Sequence, residues 1–455
     1  MEQITKPHCG ARLDRLPDCR WHSSMFAIVA FGLLVCWSNA VGGLILAQLK
    51  ALGWTDNSTT ATFSAITTAG MFLGALVGGI IGDKTGRRNA FILYEAIHIA
   101  SMVVGAFSPN MDFLIACRFV MGVGLGALLV TLFAGFTEYM PGRNRGTWSS
   151  RVSFIGNWSY PLCSLIAMGL TPLISAEWNW RVQLLIPAIL SLIATALAWR
   201  YFPESPRWLE SRGRYQEAEK VMRSIEEGVI RQTGKPLPPV VIADDGKAPQ
   251  AVPYSALLTG VLLKRVILGS CVLIAMNVVQ YTLINWLPTI FMTQGINLKD
   301  SIVLNTMSMF GAPFGIFIAM LVMDKIPRKT MGVGLLILIA VLGYIYSLQT
   351  SMLLITLIGF FLITFVYMYV CYASAVYVPE IWPTEAKLRG SGLANAVGRI
   401  SGIAAPYAVA VLLSSYGVTG VFILLGAVSI IVAIAIATIG IETKGVSVES
   451  LSIDA

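Results

Sequence analysis

The chain has 455 residues, of which 56% are hydrophobic and 12% charged, with a mean hydropathy of +0.73, whereas a soluble domain carries about 25% charged residues. That balance excludes a soluble globular chain and leaves one that lives in a lipid bilayer. The net charge of +8 would suggest a nucleic-acid surface in a soluble protein, but the basic residues fall between apolar runs, where membrane topology requires them, so no nucleic-acid partner is expected.

A helix needs about 20 largely apolar residues to cross a bilayer, and that ruler predicts twelve spans. In the first half they are 24–47, 61–82, 90–107, 113–137, 150–173 and 182–202; in the second, 264–290, 302–323, 330–348, 352–378, 391–413 and 418–440. The expected fold class is therefore all-α, a membrane protein with two six-helix halves. Residues 1–23 form a polar N-terminus with Lys6, Arg12, Arg15 and Arg20, and the first apolar run is too long for a signal-peptide core, so it reads as a retained helix. The halves span 24–202 and 264–440, joined by a polar segment 203–263 and followed by a tail 441–455. Gln216 to Glu227 has helical composition suited to the membrane surface, and Gly234 to Pro253 reads as irregular linker. The seven cysteines lack metal-ligand spacing and read as packing residues; no metal and no cofactor is expected.

Between the second and third spans lies Gly79-Ile80-Ile81-Gly82-Asp83-Lys84-Thr85-Gly86-Arg87-Arg88, a basic loop that marks the cytoplasmic side. Of the 32 Lys and Arg, Lys50, Arg181 and Lys299 fall on the opposite side and Arg118 and Arg399 within spans; the rest lie in segments then assigned to the cytoplasm, with both termini. The loop recurs as Asp324-Lys325-Ile326-Pro327-Arg328-Lys329, and at the same offset Gly70 and Gly74 answer to Gly311 and Gly315. Glu138-x-x-Pro141-x-x-x-Arg145 likewise recurs as Glu380-x-x-Pro383-x-x-x-Lys387. An internal duplication follows, and parallel repeats of this kind place a substrate site between the halves.

These residues resemble the major facilitator superfamily, and within it the sugar-porter and metabolite:proton-symporter branch, over nearly the whole chain. Gly79 to Arg88 looks like the superfamily signature between helices 2 and 3. Arg118-x-x-x-Gly122-x-Gly124-x-Gly126 resembles the branch's helix 4 signature, and Pro203-Glu204-Ser205-Pro206-Arg207-Trp208-Leu209 its signature after helix 6. Glu442-Thr443-Lys444-Gly445 resembles its closing motif, with Ile441 in place of proline. In span 1, Cys36-Trp37-Ser38-Asn39-Ala40 lacks the acid that proton-coupled sugar porters usually carry. Span 5, Phe154 to Pro161, lacks the glycine-proline run of the superfamily's antiporters.

The charges at the cytoplasmic helix ends, Asp83, Arg87, Arg88, Glu138, Arg145, Glu204, Arg207, Asp324, Arg328, Glu380, Lys387 and Glu442, can form ion pairs present in one conformation only, and the resemblance favours such gating over topology alone. The two half-loops then read as clasps on an inner gate. Arg118 and Arg399 are intramembrane charges; a guanidinium binds a carboxylate or phosphate bidentately, whereas the alternative for Arg118 is snorkelling and for Arg399 a structural partner. Asn277, Gln280 and Tyr281 share a face of span 7 and can bond hydroxyls or merely glue helices. Asn285 and Trp286 follow on the same span, with Asn157 and Tyr160 on span 5 and Tyr367, Tyr369 and Tyr372 on span 10. Glu95 and His98, at i, i+3 on span 3, can share a proton, although the usually peripheral place of that helix in the fold favours a structural pair.

The resemblance implies a secondary active transporter, not an enzyme, moving a small polar metabolite (a sugar, polyol, sugar acid or organic acid) by alternating access with proton symport. A passive uniporter is the nearest alternative, because span 1 lacks the acid; a drug exporter or membrane sensor is further off. The expected setting is a bacterial inner membrane, with the lipid bilayer, substrate and proton as partners of a monomer.

Overall fold

The computed structural model describes residues 7–17, 19–140, 145–240, 253–323, 325–383 and 386–443, and their regular structure is helical. The short α1 (Cys9–Asp14) precedes the membrane. Span 1 is two helices, α2 (Arg20–Val35) and α3 (Val41–Ala51); spans 2 to 4 are α4 (Asn57–Thr85), α5 (Arg87–Ala106) and α6 (Met111–Tyr139). Span 5 comprises α7 (Arg145–Asn157) and α8 (Ser159–Leu170), and span 6 is α9 (Ala176–Tyr201). The connecting segment holds α10 (Pro206–Ser211), α11 (Tyr215–Thr233) and α12 (Tyr254–Leu257).

In the second half, α13 (Gly260–Thr293) is span 7, α14 (Leu298–Met309) and α15 (Gly311–Val322) make span 8, and α16 (Arg328–Ser347) is span 9. Span 10 runs from α17 (Met352–Cys371) through a π-helical stretch, Tyr372–Tyr377, into α18 (Val378–Glu380). Spans 11 and 12 form α19 (Lys387–Ile439), kinked at Gly417, where φ is +64. Among the described residues nine helical stretches are long and apolar enough to cross a membrane. The difference from twelve is explained by spans 1 and 5, each cut into shorter helices, and by spans 11 and 12, which run together.

Spans 2, 4 and 8 begin with side-chain caps: Asp56 accepts from the Thr59 amide at 2.7 Å, Asn110 from Phe113 at 2.9 Å and Asn297 from Asp300 at 2.9 Å. Such caps satisfy amide groups that the first helical turn leaves orphaned. Within each half, small residues let backbones touch. A Cβ on Gly74 would lie 2.1 Å from the Val123 carbonyl oxygen, and one on Gly126 2.1 Å from that of Met71, so spans 2 and 4 interlock. The duplicated pair behaves alike: a Cβ on Gly311 or Gly315 would meet the carbonyl oxygens of Phe360 or Thr364 on span 10 at 2.4 and 2.3 Å.

The halves meet mainly towards the face opposite the charged loops. A Cβ on Gly43 of α3 would come within 2.4 Å of the Ile284 carbonyl oxygen on span 7. Asn57 at the start of span 2 bonds Ser414 of span 11 at 2.9 Å, and Asn305 of span 8 bonds Ser164 of span 5 at 3.1 Å.

On the basic face, α1 lies against α10 and α11. Cys9, Leu13 and Leu16 are buried with Trp208, Leu209, Met222, Ile225 and Val229. Arg12 pairs with Glu219 and, at 2.7 Å, with Glu226; Arg15 reaches Glu226 at 2.6 Å. The helix expected at Gln216 to Glu227 is present and longer, and its apolar stripe covers the N-terminal segment.

Candidate functional site

Span 1 is interrupted at 36–40, in the middle of an apolar run and without a proline. The interruption frees backbone groups inside the membrane, which need partners there. Arg118 of span 4 supplies one: its Nη1 donates to the Ser38 carbonyl at 2.7 Å, its Nε to Thr67 Oγ1 at 3.3 Å. The guanidinium is 2% exposed and stands 4.6 Å from the centroid of the Phe63 ring. It does not snorkel to an interface. A Cβ on Gly42 would lie 2.9 Å from Arg118 Nη2 and 3.5 Å from Asn285 Oδ1, so the first half's arginine and the second half's amide converge on that glycine.

A second polar group lies deeper between spans 5, 7 and 10. The Tyr160 and Tyr367 rings meet edge to face with centroids 5.3 Å apart, and their hydroxyls lie beside each other and beside Gln280 and Tyr281. Towards the basic face, Arg399 on span 11 is half-buried and its buried Nη1 is unpartnered.

Other expected ligands are turned elsewhere. Tyr369 donates to the Val272 carbonyl at 3.1 Å, and Tyr372 stacks on Tyr377 with centroids 5.0 Å apart and presses on Gly332. Both pack within the second half, because residues 367 and 369 on one helix point about 200° apart. Trp286 is fully buried in the second half's apolar core. Asn277 donates to the Leu273 carbonyl of its own helix at 2.7 Å and lies against Gly398, in the manner of interhelical glue; Asn157 similarly donates to Ser153 at 2.8 Å. Tyr160 and Tyr367 are better placed, as are Ser38 and Gly42, in or beside the Cys36–Ala40 stretch, and Thr67 of span 2, for which the sequence carries no signal.

Glu95 and His98 are both 0% exposed. His98 Nδ1 lies 3.4 Å from Glu95 Oε2, and its Nε2 lies 2.7 Å from the Ser38 hydroxyl. The pair therefore touches the interrupted part of span 1 that Arg118 holds from the other side.

The charges on the basic face form two equivalent sets. In the first half Arg87 bonds Glu138 at 2.8 Å and Asp83 at 2.7 Å, while Glu204 accepts from the backbone amides of Arg87 and Arg88 at 2.7 and 3.2 Å. In the second, Arg328 bonds Glu380 at 3.0 Å, and Glu442 accepts from the amides of Arg328 and Lys329 at 2.7 and 3.1 Å. Glu204 and Glu442 thus cap the N-termini of spans 3 and 9, where a carboxylate also meets the helix dipole favourably. Gly86, at φ +96, admits Glu204: a Cβ there would be 2.3 Å from its Oε2. Arg207 donates to the Glu138 carbonyl at 3.0 Å, and Arg88 donates to the Trp199 carbonyl. Each of these bonds joins elements of one half and the segment that follows it, and none of them joins the two halves. Asp324 and the side chains of Arg145 and Lys387 lie outside the described residues.

Two six-helix halves around intramembrane polar groups, closed against each other on one face, define a membrane carrier. Residues 26–406 match the Major Facilitator Superfamily, and the chain belongs to it. Its relatives include the inner membrane metabolite transport protein YdjE of Escherichia coli, 44% identical over 99% of both chains. The niacin transporter NiaP of Acinetobacter baylyi is 26% identical over 97% of this chain and 99% of its own. Among solved structures, the inward-open xylose transporter XylE of E. coli superposes with a TM-score of 0.75 over 94% of this chain and 99% of that one, at 16% identity. The protein is a metabolite transporter of this superfamily, not an enzyme.

Proposed function

We propose that the protein carries a small organic anion, a sugar acid or aromatic acid, across a bacterial inner membrane by alternating access and proton symport, with the basic face and both termini in the cytoplasm. The observation that carries this reading is that Arg118 and Arg399 stand within the spans with no carboxylate partner among the described residues. A buried guanidinium gains most from a carboxylate in direct contact, and a bound acid supplies that contact. Arg118 and Asn285 would hold that group, Gln280, Tyr160 and Tyr367 the hydroxyls or ring, and Arg399 the path to the basic face. That a relative is named for niacin, a carboxylic acid, is consistent with this choice.

Thermal stability of the purified protein, screened against sugars, sugar acids and aromatic acids, tests the anion reading. Acids are expected to stabilise the wild type, to do so more weakly in Arg118→Lys and to lose that effect in Arg399→Ala. Equal stabilisation of all three proteins, or stabilisation by neutral sugars alone, contradicts it.

A further inference from the structure

We infer that Glu95 and His98 form the proton site of this carrier and act on the anion site through Ser38. Among the described residues Glu95 is the carboxylate buried within a span, and it occurs in a chain whose span 1 carries no acid. The pair is joined to the interrupted segment by the His98 to Ser38 hydroxyl contact of 2.7 Å, and that same residue's carbonyl receives Arg118 at 2.7 Å. One residue separates the proton site from the anion site.

The surroundings are sparse in charge. Span 1 faces the pair with the Cys36 thiol, 3.9 Å from Glu95 Oε1, and Arg118 of span 4 reaches the same segment through the Ser38 carbonyl. Span 4 otherwise meets it with Gly124, where a Cβ would lie 3.0 Å from the His98 amide nitrogen. The remaining charged residues of spans 2, 4 and 6 (Asp83 and Lys84, Asp112 and Glu138, Glu177, Arg181 and Arg200) stand near the ends of their helices. Tyr94, on span 3 itself, is committed to the Gly78 carbonyl at 2.8 Å.

Charge balance then couples the two solutes. With Glu95 ionised and His98 neutral, the pair's single negative charge balances that of Arg118 across Ser38, and the empty site formed by these residues is neutral, Arg399 lying apart from it towards the basic face. An organic anion at Arg118 leaves the interior net negative until one proton joins the pair, either on the carboxylate or on the imidazole; with both aboard it is neutral again. A proton without the anion leaves it net positive. Uncompensated charge in a low-dielectric interior is disfavoured, so the carrier changes face either empty or with both solutes, taking the proton from one side and releasing it on the other. Ser38 lets the change be felt as geometry: an imidazolium donates from Nε2 to the Ser38 hydroxyl, where neutral imidazole can accept from it, and the segment that Arg118 grips shifts its bonding.

This inference rests on the anion reading, but its test uses no substrate, so the two can fail separately. Infrared difference spectra of the full-length protein in nanodiscs, between about pH 5 and about pH 9, read carboxyl and imidazole protonation separately. One proton is expected to bind the pair, with its signature lost in Glu95→Gln and altered in His98→Gln. Arg118→Gln is expected to move the midpoint up by about one pH unit, roughly a tenfold gain in proton affinity, because a nearby positive charge is removed. Arg118→Lys, which keeps the charge, is expected to hold the wild-type midpoint and serves if the glutamine variant does not fold. Absence of titration in the wild type, a signal unchanged by Glu95→Gln, or a midpoint indifferent to the charge at 118 would overturn the inference.

Discussion

Arg118 is held by backbone and hydroxyl oxygens and the face of an aromatic ring. These neutral partners orient the guanidinium and leave it with no carboxylate in contact, so its charge-assisted bonds stay available. Charge-assisted hydrogen bonds contribute about 1.5–3 kcal/mol each. Arg118→Ala is therefore expected to raise the half-saturating concentration for an acid substrate by about 10- to 100-fold, measured as initial uptake, with Arg118→Lys intermediate because it retains charge and loses the planar fork. The sequence marks this arginine by its depth in an apolar run. Its partner is illegible there, because a free carbonyl at Ser38 exists only once span 1 is interrupted, and no proline announces the interruption. Tyr367 shows a different limit: four tyrosines crowd span 10, and which one faces the other half depends on a helix rotation that an almost wholly apolar sequence leaves unspecified.

Residue-scale contrasts also separate the charges expected to gate. Asp83 is 67% exposed at its side chain, whereas Glu138, bonded to the same Arg87, is 20% exposed. Exposed ion pairs contribute little. Glu138→Gln is thus expected to slow transport more than Asp83→Asn while leaving substrate-induced thermal stabilisation in place; equal effects would show that depth does not set their importance.

At the scale of elements, the duplication visible in the loops and glycines becomes a repeated device: an arginine at the start of the third helix of each half, a glutamate on the fourth, and a glutamate arriving after the sixth to cap the third. The first two parts are legible as a repeated motif. The equivalence of Glu204 and Glu442 is not, because their flanking sequences differ and only folding brings each to a helix N-terminus. Removing such a cap destabilises by about 0.5–2 kcal/mol, so Glu204→Gln and Glu442→Gln are each expected to lower the unfolding temperature modestly and by similar amounts. Gly74→Val is expected to be more damaging: a side chain must displace the Val123 backbone, and overpacking costs about 1–3 kcal/mol or more.

Another element-level device lies at the N-terminus, where Arg12 and Arg15 hold α1 to α11. Burial alone disfavours the charged forms of Glu226 and Glu219, but the bonds from Arg12, with Arg15 or Arg223, outweigh it and leave both carboxyls below their ordinary range. A depressed carboxylate contributes stability above its unfolded pKa and loses it as pH falls through the folded one. Hydrogen exchange of residues 9–16 is expected to be protected at neutral pH and to accelerate, beyond the intrinsic effect of pH, on acidification below the ordinary glutamate range. Protection that persists there would show that the apolar contacts of Leu13 and Leu16 suffice.

Over the whole molecule, twelve spans in two halves are legible from apolar run length alone, and the halves' kinship from a few charges at fixed offsets. Hydrophobicity fixes which segments enter the membrane and says little about how they rotate or where they break, and the site consists of those rotations and breaks. The halves touch near one face through Gly43 and Ile284, Asn57 and Ser414, and Asn305 and Ser164, while the ion pairs on the basic face tie helices within each half. The proposed alternating access would move each half as a body about the proposed anion site.

An organic anion bound at Arg118 and moved with a proton is the proposed cargo. Proteoliposomes holding the purified protein, given an inward-directed proton gradient and offered radiolabelled neutral sugars, sugar acids and aromatic acids, test it most directly. An acid should accumulate only while the gradient lasts, more weakly with Arg118→Lys, and without gradient-driven accumulation in Glu95→Gln. Accumulation of a neutral sugar with the acids ignored, at the same rate in all three proteins, would contradict it.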